Sequence, residues 1–357
     1  MKPKTIKSIK KYLFSVIVLL VCLSVIAHAH VFVYPVRTIA KIFSLPAASI
    51  IIPYSKTYEY KEQKTENTQQ KTEKTTEKTT AENSETKLAN AVETGGAVIT
   101  ETIDKSGATA SFGDVYIKNK TTVNVDFEKE FKNKPNLKIK LNSKNPQVLI
   151  VHTHATECFF PRLVSYYPKS WGERDQDTSK NMVAVGKVIV EKLNKSGIKT
   201  VQSQTLHDKD EYEGSYDRSR ETIKKYLKKY PSIKVVLDVH RDAINEEDGD
   251  KIRPIVSINK KQAGQIMLIS GCETGSITGY PNWRKNLRFS LRLQQLLEKT
   301  YPSLARPLFF AEKKYNQDLC ENSVLVEVGS QANLIGEAKY SAELFSNVLI
   351  KYLKQNT

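Results

Sequence analysis

Cysteine is scarce, with four in 357 residues. Cys22 falls in an apolar N-terminal run, leaving Cys158, Cys272 and Cys320 widely spaced, which excludes a disulfide framework. No CxxC pair occurs, so a thiolate zinc site is excluded as well. There is no Gly-rich phosphate loop. Acidic residues are missing from the start of the chain. None precedes Glu59, whereas Lys2, Lys4, Lys7, Lys10, Lys11, Arg37, Lys41 and Lys56 all do. Those eight cations equal half of the formal net charge of +16. The basic balance is therefore largely an N-terminal property and argues against a nucleic-acid partner.

Residues 12–29 carry no formal charge and are led by LFSVIVLLVCLSVIA. That length is within the range of a membrane span, and the five lysines before it belong on the cytoplasmic side. A cleaved signal peptide is the competing reading, since Ala27-His28-Ala29 is a small-x-small site, but the run is long for one. Either way the remainder lies outside the cytoplasmic membrane. The expected organisation is a cytoplasmic tail (1–11), an anchor (12–29), a membrane-proximal segment (30–53), a tether (54–92), lead-in strands (93–146) and a catalytic domain (147–357). The tether, with KTEKTTEKTTAENSETK, has too few apolar residues to offset chain entropy and is expected to be disordered.

Beyond residue 111 the pattern becomes globular. DVYIKN, TTVNVDF and LKIKL read as short strands. VLIVH (148–152), VVLDVH (235–240) and VLVEVG (324–329) read as buried strands, and IRPIVSI with QIMLIS as a strand pair. Helical spacing marks residues 181–193, 216–230, 283–299 and 341–353. Apolar strands alternating with amphipathic helices imply an α/β sandwich around a mainly parallel sheet.

In such sheets ligands bind at the carboxyl ends of the strands. Three strand ends turn abruptly polar: HTHATE, DVHRDA and VEVGSQAN. They supply His154, Glu157, His240 and Glu327, and three of the six histidines fall there. Two imidazoles and one carboxylate form a recurrent catalytic zinc set with a fourth position left open. Glu327 is then free to move protons. His152 continues its strand and is expected on the opposite face; His207 is expected in a loop. Arg241 either clamps a substrate carboxylate or pairs with Asp238 or Asp242. Cys158 as the nucleophile of a cysteine peptidase, and a non-catalytic wall-binding scaffold, are the alternatives.

The strings VLIVHTHATECF, DVHRDA, YNQD and VLVEVGSQANLIGEA, with DVYIKNKT and LHDKDEYEGSYDRSRETI, closely resemble the stage II sporulation protein P family. The resemblance runs from Val115 to Leu353. It implies a three-layer zinc-amidase-like fold and a zinc-dependent amidase that cuts between N-acetylmuramic acid and L-alanine in peptidoglycan, with endopeptidase activity on cross-links. It implies a role in engulfment in an endospore-forming bacterium, in the septal membrane of the mother cell. Stage II sporulation protein D and stage II sporulation protein M are the implied partners. Glu327, Gly329 and Asn333 resemble the Glu-x-Gly-x-x-x-Asn string of the wider zinc amidases, and His154 and His240 match their histidine ligands. Their ligand glutamate opens the following helix. Here that helix opens near Lys180-Asn181, so Glu157 takes the role, with Glu173, Asp175 and Asp177 in reserve.

Overall fold

The computed structural model describes residues 93–357. In chain order these form β1 (Thr94–Glu101), β2 (Ala110–Phe112), β3 (Val115–Asn119), α1 (Phe127–Lys132), β4 (Val148–Val151), β5 (Tyr166–Pro168), α2 (Met182–Lys195), β6 (Thr200–Gln202) and α3 (Ser215–Lys229). There follow β7 (Val235–Asp242), β8 (Lys251–Ile258), β9 (Lys261–Gly264), β10 (Ile266–Gly271), α4 (Trp283–Thr300), β11 (Leu308–Ala311), a 3-10 turn (Gln317–Leu319), β12 (Ser323–Ser330) and α5 (Ile335–Lys354). The anchor, membrane-proximal segment and tether lie outside the described residues. Among the described residues no helix is long and apolar enough to cross a membrane.

The main sheet has the order β2-β3-β11-β10-β12-β7-β4-β6. It is antiparallel only at β2/β3 and β10/β12, so the expected mainly parallel sheet is present. The two-residue period of a strand sends alternate side chains to opposite faces. Val148, Ile150, Val235, Leu237, Val324 and Val326 join α2, α4 and α5 in the large core. Leu149, Val151 and Val236 point the other way, onto Ile223 of α3. Apolar residues on both faces of β4 and β7 therefore demand cover on both sides, and three layers result. Each fully buried Leu, Ile or Val contributes roughly 1.5–3 kcal/mol relative to exposure.

Several local readings are corrected. IRPIVSI and QIMLIS do not pair with each other. β8 pairs with β1 and β9 in a separate sheet of order β5-β1-β8-β9, while β10 lies between β11 and β12. The short strand β9 separates them in the chain, and each finds a different neighbour. TTVNVDF is irregular and runs into α1, which Asp126 caps by accepting from the Lys129 amide. LKIKL is also irregular. Its alternation is real, since Leu137 and Ile139 are buried, but Ile139 N–H donates to Asn356 O at the end of the chain instead of to a strand. α5 starts six residues before its apolar stripe suggested. Glu337 accepts from the Leu334 amide and pairs with buried Arg253, which holds that first turn.

One glycine is required by close approach. A Cβ at Gly186 of α2 would come within 2.5 Å of the His152 ring and 2.6 Å of Gln202 Nε2. Both neighbours are themselves hydrogen-bonded. Gly186→Ala is therefore expected to destabilise the fold by about 1–3 kcal/mol through overpacking, outweighing the gain in helix propensity. Thermal unfolding checks this, at about 2–4 °C per kcal/mol; an unchanged or raised melting temperature contradicts it.

Candidate active site

β4, β7 and β12 are adjacent and parallel, so their carboxyl ends reach one edge of the sheet. There a cleft of 740 Å³ is lined by His154, Glu157, His240, Arg241 and Glu327. Tyr212, Tyr216, Lys313, Lys314 and Tyr315 also line it. Glu327 and His240 are register partners across β12 and β7.

His152 keeps the parity of Val148 and Ile150 and faces α2, whereas the chain has left β4 before His154. It is fully buried, with Nδ1 2.8 Å from Val239 O and Nε2 2.9 Å from Gln202 Nε2. The carbonyl needs a donor and the amide nitrogen an acceptor, so the ring is the neutral Nδ1–H tautomer. Burial pushes its pKa down to about 4. It is a core residue, not a ligand. His207 is a loop residue but also buried, between His152 O and Thr222 Oγ1.

His154 faces the cleft. Its Nδ1 lies 3.2 Å from Ser215 Oγ, whose own proton goes to Tyr212 O at 2.7 Å. Nδ1 must then donate, which leaves Nε2 with a free lone pair. The ring stacks on Tyr212 at 4.5 Å and lies 5.3 Å from the His240 ring. Burial, then the neighbouring His240, pushes its pKa down to about 4, so it is neutral and ligand-ready at pH 7.

His240 is buried between two carboxylates. Nδ1 is 3.6 Å from Glu157 Oε2, and Nε2 is 2.8 Å from Asp238 Oδ1 without the alignment of a hydrogen bond. Asp238 is instead held by the Thr153 amide and hydroxyl. Burial opposes charge on His240, but Asp238 and Glu157 outweigh it and raise its pKa well above 6.5. For Glu157, burial pushes upward while His240 and Arg241 pull the carboxyl down to about 2. The floor of the cleft thus sets two buried carboxylates against one imidazole.

Glu327 has the opposite character. Burial, then Asp242, pushes its pKa up to about 8, and its Oε2 has no hydrogen-bond partner. The backbone beyond it is shaped by Gly329, whose φ of +69° is open to glycine at no cost. A Cβ there would sit 2.6 Å from Asn333 Oδ1, the atom that accepts from the Ser330 amide. That explains the Glu-x-Gly-x-x-x-Asn spacing as backbone geometry at the strand end.

Among the described residues, no three His, Cys, Asp or Glu side chains converge closely enough to hold a metal ion as they stand. The donor set nonetheless fits one. Two imidazoles sharing a tetrahedral zinc have ring centres about 5 Å apart, and adjacent donors lie about 3.4 Å apart. The 5.3 Å and 3.6 Å separations here are close to both. The free lone pair of His154, the misaligned His240 and the buried negative charge all suit a divalent cation.

Of the other candidates, Arg241 lines the cleft and the rest do not. The Arg241 guanidinium donates to the carbonyls of Cys158, Asp242 and Glu173, and its amide donates to Glu157 Oε2. Its ion-pair partner is Glu173, at 3.8 Å, in place of the expected Asp238 or Asp242. Asp242 pairs with Arg306. The reserve ligand Glu173 pairs with Lys251, while Asp175 and Asp177 face Lys180. Cys158 is buried, does not line the cleft, and has its pKa raised to about 11 by burial, which removes the thiolate that a nucleophile needs. Tyr212, Tyr216 and the Lys313–Tyr315 segment escaped sequence reasoning. YNQD was visible as a string, but nothing in it signalled proximity to strand ends distant in the chain.

Comparison with known proteins accords with the strings that define these strand ends. The chain is similar to stage II sporulation protein P of Bacillus subtilis (strain 168), 28% identical over 216 residues, which cover 56% of this chain and 49% of that one. It therefore spans about half the length of that curated relative. Among solved structures it is similar to an N-acetylmuramoyl-L-alanine amidase from Clostridium difficile 630, at 15% identity and a TM-score of 0.36, covering 60% of this chain and 100% of that one. It is also similar to the catalytic domain of CwlV, an N-acetylmuramoyl-L-alanine amidase from Bacillus (Paenibacillus) polymyxa var. colistinus, at 10% identity and a TM-score of 0.34, covering 58% and 98%. Both likenesses are remote in sequence and partial in shape, and they assign no residue a role. The family model of stage II sporulation protein P matches residues 38–350, and the chain belongs to that family.

Proposed function

We propose that this protein is a zinc-dependent peptidoglycan hydrolase that cuts the amide between N-acetylmuramic acid and L-alanine, and peptide cross-links, during engulfment in sporulation. The observation that carries this reading is the buried set of His154, Glu157 and His240 with Glu327 in one cleft. Family membership supplies the biological setting. His154, Glu157 and His240 would hold the zinc, which when bound supplies Lewis-acid polarisation of a carbonyl and acidifies water. Glu327 accepts a proton from the attacking water and returns it to the leaving amine. Its raised proton affinity suits the second transfer. Arg241 acts as a positioning residue, tying Glu157 and the 158 and 173 carbonyls to the end of β7.

Release of stem peptides from purified walls tests the reading. A chelator is expected to abolish release and zinc to restore it, whereas thiol alkylation leaves it intact. Loss on alkylation alone points to Cys158, and no release under any condition points to a scaffold.

The proposed setting is the outer side of the mother-cell septal membrane, with residues 12–29 as a single-pass anchor. Stage II sporulation protein D and stage II sporulation protein M are the proposed partners. Residues 54–92 are proposed as a flexible tether, and limited proteolysis of the full chain is expected to cut there first. First cleavage within residues 93–357 contradicts that.

A further inference from the structure

Part of the cleft lining comes from the segment between β11 and the 3-10 turn. Lys313 and Lys314 line the cleft, and neither forms an ion pair among the described residues. Their placement is enforced. Tyr315 and Asn316, the next two residues, both adopt left-handed backbone, with φ of +50° and +55°. For a tyrosine that conformation is disfavoured and persists only where surroundings impose it. Here the buried Asn316 donates to Tyr216 O and Ser219 Oγ, and Arg220 of α3 grips Asp318 through two hydrogen bonds. The Lys313 carbonyl packs so tightly on Gly271 that a Cβ there would overlap it, and Lys314 Nζ lies over Gly279, 3.3 Å from where a Cβ would be. Two lysines thus line a cleft in which Asp242 and Glu157 already face basic partners and Asp217 is a carboxylate left without an ion pair among the described residues. Asp242 pairs with Arg306, and Glu157 faces His240.

We propose that Lys313 and Lys314 form a carboxylate-binding subsite that takes an acidic substrate peptide by its free carboxylates and discriminates against the same peptide once those carboxylates are amidated. The inference rests on the wall-hydrolase reading and names the substrate class of that site. Two exposed cations of this kind, weakened by salt, set a preference of about two- to thirtyfold.

The test uses the full chain carrying Glu327→Gln, with zinc present, and two fluorescent disaccharide-peptide fragments that differ only in free or amidated peptide carboxylates. The free form is expected to bind about tenfold tighter at low salt. The Lys313→Ala/Lys314→Ala double variant is expected to bring the Kd ratio to near one, and Lys313→Glu/Lys314→Glu to invert it. Far-UV circular dichroism of each variant establishes that it is folded; Lys→Gln replacements at both positions serve as a second pair. Equal Kd values for the two fragments, or a preference that survives the double variant, overturn the subsite alone. No binding of either fragment overturns the wall-hydrolase reading and the subsite with it.

Discussion

Glu327→Gln is expected to bind zinc with wild-type stoichiometry and to release stem peptides about 100- to 10,000-fold more slowly, the usual cost of losing one general acid/base. Glu327 is half-buried on β12 beside its register partner His240, and its shielded Oε2 has no hydrogen-bond partner among the described residues. An unsatisfied buried oxygen costs free energy, and a strand end that tolerates it beside a cleft is suited to a transferable proton. Glutamine keeps the size and the hydrogen-bonding capacity but cannot take a proton from water. If Glu327 only braced neighbouring groups, the amide would do nearly as well. Metal content and stem-peptide release measured on this one variant separate the two: normal zinc with near-normal release refutes the proton-transfer role.

His154→Ala and His240→Ala are each expected to lose stoichiometric zinc and to reduce release to background. Replacing even an outer partner of a ligand typically costs 10- to 100-fold in metal affinity, so removing a ligand is expected to cost more than about 100-fold. The two variants differ in stability. His154 is neutral and half of its hydrogen bonding goes to Ser215, so its loss leaves mainly a cavity beneath Tyr212. His240 carries the cation that Asp238 and Glu157 require, so its removal leaves two buried carboxylates uncompensated. Zinc at 100 times its Kd stabilises a folded protein by about 2.7 kcal/mol, and that increment is expected in the wild type and absent from both variants. A variant that keeps both the zinc and the zinc-dependent rise in melting temperature is not missing a ligand.

The candidate ligands were legible in the sequence because apolar strands betray themselves by composition, and an ionisable residue at the end of one has few structural excuses. His154, Glu157, His240 and Glu327 share a cleft for that reason. Other parts of the lining were not legible. Tyr212 and Lys313 to Tyr315 lie in polar loops, where sequence carries no periodicity, and they reach the cleft only because α3 and the 3-10 turn pack together through Asn316 and Arg220. The same limit explains the misread elements. LKIKL alternates as a strand does, yet whether an extended segment becomes one depends on a neighbour offering free backbone groups, and here the chain terminus supplied one instead.

By itself the sequence determined the class of fold, since period-two and 3.6-residue patterns state which side chains must be buried and hence how many layers are needed. It also determined which residue types stand at the strand ends. Only the tertiary structure decided which face each one takes and what it meets there. His152 and His154 are two residues apart and chemically alike, yet one is locked in the core against Val239 and Gln202 while the other opens into the cleft against Tyr212 and His240. Whether an imidazole is neutral filler or a poised ligand depends on the charges and hydrogen-bond partners around it, and those come from strands and helices far apart along the chain.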